Sequence, residues 1–196
     1  MSAFDEAVGR FDEAVRRFEA LHREDPRVAL EGGVAIPYSL HYHRRLGHWL
    51  GVRAPNASEP LRLSAACQHL RRWTVARDTF PAGLAGYKRW RSHLARFHGD
   101  EAAAVLGPLG YDAATIARVR ELLIKKGLKS DPEVQALEDA VCLVFIENEL
   151  AEFAKKHAEA KVLDILRKTW AKMSPEGHSK VLAAFGGDPL LARALG

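Results

Sequence analysis

Residues 131–146 read Asp131-Pro132-Glu133-Val134-Gln135-Ala136-Leu137-Glu138-Asp139-Ala140-Val141-Cys142-Leu143-Val144-Phe145-Ile146. Asp131-Pro132-Glu133 is a helix start: a capping oxygen, a proline where no N–H is needed, then an acid at the positive end of the dipole. The run that follows is the most apolar in the chain, yet Glu138 and Asp139 sit inside it. Helical spacing places Asp139 with Gln135, Cys142 and Ile146, and Glu138 with Val134, Val141 and Phe145. Both faces are largely apolar, so the helix is expected to be buried on most sides. An unpaired carboxylate there costs several kcal/mol or moves its pKa upward. A cation, a cluster of arginines or a route to water must compensate the pair.

Outward from this helix, composition sets the limits. The chain has 196 residues, 47% hydrophobic and 28% charged, with a net charge of +4 from 29 basic and 25 acidic side chains. This suits one soluble domain over residues 1–196 and small anionic ligands, and does not demand nucleic acid. The nine histidines are many. Cys67 and Cys142 lie in apolar helical stretches, where a reduced thiol acts as a small hydrophobe, and no disulfide framework is visible. No hydrophobic segment precedes the charged Asp5-Glu6, so the expected location is the cytoplasm, with no membrane partner.

Helical periodicity runs almost throughout, and no segment shows convincing strand alternation. Phe4, Val8, Phe11, Val15 and Phe18 form one stripe, a core face or a homodimer face. Residues 25–36 read as a loop. Pro37 opens a helix through His41, His43 and His48, stopped by Gly51. Ser58 caps a third helix, running through His69 to about Trp73. A fourth covers about Gly83 to Phe97, a short one Glu101 to Leu106, and Asp112 caps another that closes at Gly127. Helices over about Glu159 to Lys172 and Ser174-Pro175 to Phe185 follow the buried one. The fold class expected is all-α, a single-domain helical bundle.

Two constellations could carry chemistry. Two imidazoles and a carboxylate can hold a divalent transition metal (Zn, Mn, Fe, Ni or Co) with open positions. His41 or His43, His69 and Asp139, with Glu138 beside it, supply those types from different helices. The second set interleaves cations with tryptophan: Arg71-Arg72-Trp73, Lys88-Arg89-Trp90-Arg91, Lys125-Lys126 and Arg167-Lys168-Thr169-Trp170. Guanidinium groups grip phosphate or carboxylate in bidentate fashion, and indoles stack bases or cap pockets. In the bland alternative each Trp is a core anchor, its neighbours are a solvated face, and the histidines are hydrogen-bonded in a core. A Gly-rich phosphate loop, a dinucleotide fingerprint, a Cys-x-x-Cys pair and a nucleophile elbow are all absent from the sequence.

Several stretches resemble an uncharacterised bacterial and fungal family. They are Ser39-Leu40-His41-Tyr42, Gln68-His69-Leu70-Arg71-Arg72-Trp73, Gly86-Tyr87-Lys88-Arg89-Trp90-Arg91, Leu137-Glu138-Asp139-Ala140-Val141-Cys142-Leu143-Val144-Phe145 and Ile165-Leu166-Arg167-Lys168-Thr169-Trp170-Ala171-Lys172-Met173-Ser174. The family is catalogued as domain of unknown function 4202, and its fungal members often carry a glutamyl-tRNA synthetase label. The resemblance covers nearly the whole chain. A more distant one is to the HD-domain superfamily of helical metal-dependent phosphohydrolases, which place a His on one helix, a His-Asp pair on the next and a lone Asp later. That likeness implies His41, His69 and Asp139 as metal ligands. Leu70 stands where the paired Asp is required.

The leading expectation is an HD-like hydrolase of a small phosphorylated or otherwise anionic metabolite. In it Glu138 or His43 acts as base, and Arg71, Arg72, Trp73, Arg89, Trp90 and Lys168 bind substrate. An iron-dependent oxygenase could use the same ligands. A non-catalytic module gripping RNA or an acidic partner is the competing class, and salt dependence separates it.

Overall fold

Side-chain oxygens open the helices where the sequence places them. Ser58 accepts from the Leu61 N–H at 3.3 Å, Asp112 from Thr115 at 2.7 Å, Asp131 from Glu133 at 2.9 Å and Ser174 from Gly177 at 3.0 Å. Each satisfies a donor that a helix cannot pair internally. The computed structural model describes residues 3–196, less the side chains of residues 3, 4 and 6. It is all-α apart from one small hairpin. Among the described residues no helix is long and apolar enough to cross a membrane. The chain divides into two compact units, residues 1–47 with 58–126, and residues 48–57 with 127–196.

The first unit holds α1 (Ala3–His22), β1 (Val28–Glu31), β2 (Val34–Pro37), most of α2 (Tyr38–Arg53), α3 (Glu59–Cys67), α4 (Gly83–Leu106) and α5 (Ala113–Leu123). The hairpin replaces the expected loop. Val28 pairs with Pro37 and Glu31 with Val34, and Gly32 and Gly33 take φ of 57° and 84°, values that suit a tight two-residue turn. α4 is continuous where two helices were expected, and α3 ends at Cys67, so His69 lies on the turn beyond it.

The core of this unit gathers Ala14 and Phe18 of α1, Leu63 and Cys67 of α3, Ala102 and Leu106 of α4, and Val119 and Leu123 of α5. Leu70, fully buried, anchors the turn after α3 to the same cluster. Phe11 packs against it, so the α1 stripe serves the core of its own unit, while Val8 stays exposed. The Phe4 side chain lies outside the described residues.

The second unit holds the end of α2, then α6 (Pro132–Val144), a π-helical turn (Phe145–Glu149), α7 (Leu150–Lys156), α8 (Glu159–Lys172), α9 (Pro175–Phe185) and α10 (Pro189–Leu195). α6 is the central element: Val134, Leu137, Ala140, Leu143 and Val144 are completely buried, with α8 and α9 packed on it. Trp49 donates from Nε1 to Glu147 at 2.9 Å across the π turn, and its ring lies 5.5 Å from that of Phe185.

Candidate anion-binding cavity

The second unit answers the question posed by the buried acids. Asp139 is fully buried, and four donors fill its two oxygens. Oδ2 accepts from Arg53 Nε at 2.7 Å and Ser174 Oγ at 2.6 Å, and Oδ1 from Gln135 Nε2 and the Ser174 N–H, both at 2.9 Å. A carboxylate has about four lone-pair directions, so none remains for a metal. Gly177 passes so close that an added Cβ would lie 2.7 Å from this carboxylate. Glu138, 4% exposed, faces Lys172 Nζ at 4.0 Å. Lys168 of α8 is paired with Asp164 at 2.6 Å rather than presented to a ligand.

In the first unit the histidines form a connected set whose tautomers follow from their partners. His22 Nε2 meets the Ala66 carbonyl at 2.8 Å and must donate to it, so Nδ1 accepts the Ser39 hydroxyl at 2.9 Å. The His22 and His43 rings stack with centroids 3.7 Å apart. His43 Nδ1 donates to the Ser39 carbonyl at 2.6 Å, and Nε2 accepts the His69 N–H at 3.2 Å. Both His43 nitrogens are thus committed to holding the turn after α3, which takes His43 out of the role of base. His41 faces the hairpin instead, its Nδ1 3.5 Å from Glu31. Among the described residues, no group of three or more His, Cys, Asp or Glu side chains is disposed to hold a metal ion. The expected metal set, and the oxygenase that shares it, therefore do not fit these residues.

That turn is one wall of a cavity of about 230 Å³ within the first unit. It contributes Gln68, His69 and Arg72, and it turns back at Arg71, whose φ of 51° is uncommon for a side chain with a Cβ. α4 contributes Arg91, Leu94, Ala95 and His98, which share a face by helical spacing. The end of α5 contributes Leu123, Ile124 and Lys125, and Lys125 too is left-handed, at φ 57°. Two left-handed non-glycine residues in the segments that form one cavity are the kind of backbone strain that gathers at functional sites. Among the described residues, the lining holds three cations and no carboxylate.

His98 is 3% exposed, and its Nδ1 donates to the Leu70 carbonyl at 2.8 Å, leaving the Nε2 lone pair with no partner. Burial, then Arg72 and Arg91, push its pKa down to about 4 against the pull of Leu70. His69 is held well below its usual range by burial, then by Arg72, His98, His43 and Lys125. Gln68 is also 3% exposed, and neither its Nε2 nor its Oε1 has a partner. These three atoms are closed to solvent, so it is the rest of each side chain that forms the cavity wall.

The basic-aromatic residues divide in function. Trp90 donates to the Val75 carbonyl at 3.0 Å and carries the Arg72 guanidinium 4.7 Å above its ring, which orients Arg72. Trp73 is half-buried and Arg89 exposed, neither in the cavity wall. Arg71 is engaged by Glu24 at 2.9 Å and Glu101 at 3.3 Å. Sequence reasoning passed over His98, which lies just beyond the expected end of its helix; its seven-residue spacing from Arg91 was the available signal. No curated protein and no solved structure matches the chain. By its match to the family model over residues 12–190, the chain belongs to the family described as domain of unknown function (DUF4202).

Proposed function

We propose that the chain is a hydrolase of a small phosphorylated or otherwise anionic metabolite, working in the Gln68–His98 cavity. The observation that carries this reading is a lining of three cations, Arg72, Arg91 and Lys125, without a carboxylate, with the neutral imidazoles of His69 and His98 beside them. Arg72, Arg91 and Lys125 hold the anion and offset the charge that develops on its oxygens. His98 accepts a hydrogen bond from the attacking water. A dianion beside these cations also raises the imidazole pKa, moving it toward the range where a base is effective. The reading retains the HD-like hydrolase expected from the sequence, moves its site, and routes no step through a metal.

A second reading, anion binding without turnover, is favoured by the low basicity of His98 in the ligand-free cavity. Calorimetric titration with inorganic phosphate and a panel of phosphorylated metabolites, alongside an assay of phosphate release, separates the two. Arg91→Ala and Lys125→Ala are each expected to weaken binding by about tenfold, as loss of a charge-assisted contact does. His98→Gln is expected to abolish release while binding persists. Absence of any phosphate-ester binding, or variants that bind like the wild type, would overturn both readings; binding without release would leave the second.

A further inference from the structure

The hairpin of the first unit presents apolar side chains to solvent. Val28 and Leu30 share one face of β1 and are 68% and 71% exposed, with Ala35 of β2 exposed beside them. A two-stranded hairpin is marginal by itself and gains from further strands.

Which edge can take a strand follows from the turn. The two-residue loop Gly32-Gly33 makes Glu31 and Val34 a hydrogen-bonded pair, and alternation then directs the backbone of Ala29 and Arg27 toward β2 as well. The Tyr38 N–H donates to the Arg27 carbonyl at 2.8 Å, in keeping with that phase. The N–H and C=O groups of Val28 and Leu30 therefore point away from β2, and among the described residues no third strand meets them. On β2 the outward positions are Ala35 and Pro37, and proline has no N–H to give. Thus β2 carries a blocking residue of the kind that protects natural edges, while β1 carries none.

The sequence of the open edge is complementary to itself. Set antiparallel about Ala29, Arg27-Val28-Ala29-Leu30-Glu31 places Arg27 opposite Glu31 of a second copy, Val28 opposite Leu30, and Ala29 opposite Ala29. Val28 and Leu30 then exchange both of their outward backbone bonds with their opposites. The charge pairs fall at the non-hydrogen-bonded positions, where side chains approach more closely. Arg27, 2.7 Å from Asp25, and Glu31, 3.6 Å from Arg44, are both partly exposed, so an incoming strand reaches them. A slip of two residues loses both charge pairs.

We infer that β1 is a self-pairing edge, by which two copies of this chain join about a two-fold axis at Ala29 into a four-stranded antiparallel sheet. Each copy offers one pairing edge, so the assembly closes at two. Five residues a side fall short of the roughly 20–30 of a stable interface, so the dimer is weak and concentration-dependent.

Sedimentation velocity from about 5 to about 500 µM is expected to show a monomer–dimer equilibrium with a midpoint of roughly 10–100 µM. Leu30→Pro removes an outward N–H, leaves the pairing with β2, and is expected to weaken the dimer at least tenfold. Glu31→Lys, which faces Arg27 of the second copy with a like charge, should weaken it several-fold, and less so at high salt. Circular dichroism and the unfolding midpoint establish that each variant folds. Disulfide trapping reads the register, because non-hydrogen-bonded partners lie about 4.5 Å apart between Cα atoms, within disulfide reach. Ala29→Cys is therefore expected to cross-link under mild oxidant at least tenfold faster than Val28→Cys, although Val28 is the more exposed and would lead by random collision. A chain still monomeric at about 500 µM overturns the inference and leaves the edge to a strand of another protein. A dimer unaffected by Leu30→Pro, or faster cross-linking at residue 28, overturns it too, since the copies then meet on another face or in another register.

Discussion

At the scale of single residues, Asp139 and Arg53 show how a charge survives in an apolar helix. Removing one partner of a buried pair leaves the other uncompensated, at a cost of about 3–5 kcal/mol. Arg53→Met is therefore expected to lose about that much in urea unfolding, because Asp139 is fully buried. Asp139→Asn should lose less, about 1–3 kcal/mol, since the Arg53 side chain is 16% exposed and already 3.7 Å from Glu176. Equal losses would contradict this asymmetry. His22 makes a pH prediction of definite sign. Burial pushes its folded pKa down to about 4, against the pull of the Ala66 carbonyl, Glu19 and Asp25, with the His43 ring stacked on it. Between that value and the ordinary 6.5 the unfolded chain binds a proton that the folded chain refuses, so stability is full above about pH 6.5 and declines as pH falls toward 4. At 1.36 kcal/mol per unit, His22 accounts for up to about 3 kcal/mol of that loss, and His98 acts in the same direction. Urea midpoints at pH 7 and pH 4.5, with imidazole resonances followed by NMR, check both the size and the assignment.

At the scale of elements, the segment between α3 and α4 is held by contacts that a sequence does not announce. Arg77 donates to the carbonyls of Phe80 and Pro81, both at 2.9 Å, and Trp90 ties down Val75. A Cβ on Gly86 would meet the Pro81 carbonyl oxygen at 1.7 Å, an approach that no rotamer change relieves. Gly86→Ala is expected to cost about 1–3 kcal/mol. It should also expose residues 74–82 to protease and weaken phosphate binding, because the same segment carries Arg72; an unchanged cleavage pattern would refute the clamp. The capped starts at Ser58, Asp112, Asp131 and Ser174 were legible because capping is local chemistry written within four residues. The hairpin was not, since its strands of four residues are too short for a clear alternation, although Gly32-Gly33 between two apolar runs marked the turn. In the cavity, Arg72 and His69 were legible by type and Arg91 and Lys125 by cluster. Gln68 and His98 join the cavity wall only once the turn after α3 meets α4, and that depends on packing rather than spacing.

At the scale of the whole molecule, the question is whether 29 basic side chains make a nucleic-acid binder. The structure distributes them against it. Arg71 lies against Glu24 and Glu101, Lys168 against Asp164, Lys126 against Glu121, and Arg193 against Glu159. Each pair is at least partly exposed and adds little to stability, yet it locally cancels the field that a phosphate backbone would feel. With a net charge of only +4, any affinity for tRNA is expected to be the non-specific kind, weaker than about 10 µM at 150 mM salt and falling steeply from 50 mM as counterion release weakens. A phosphate ester held by only three cations, Arg72, Arg91 and Lys125, involves far less counterion release than a polynucleotide, so it should lose under about tenfold over the same range. Parallel salt titrations with tRNA and glycerol 3-phosphate distinguish the cases. Sub-micromolar tRNA binding that persists at 150 mM salt and survives Arg91→Ala would show that the exposed basic residues, not the cavity, are where this chain meets its partner.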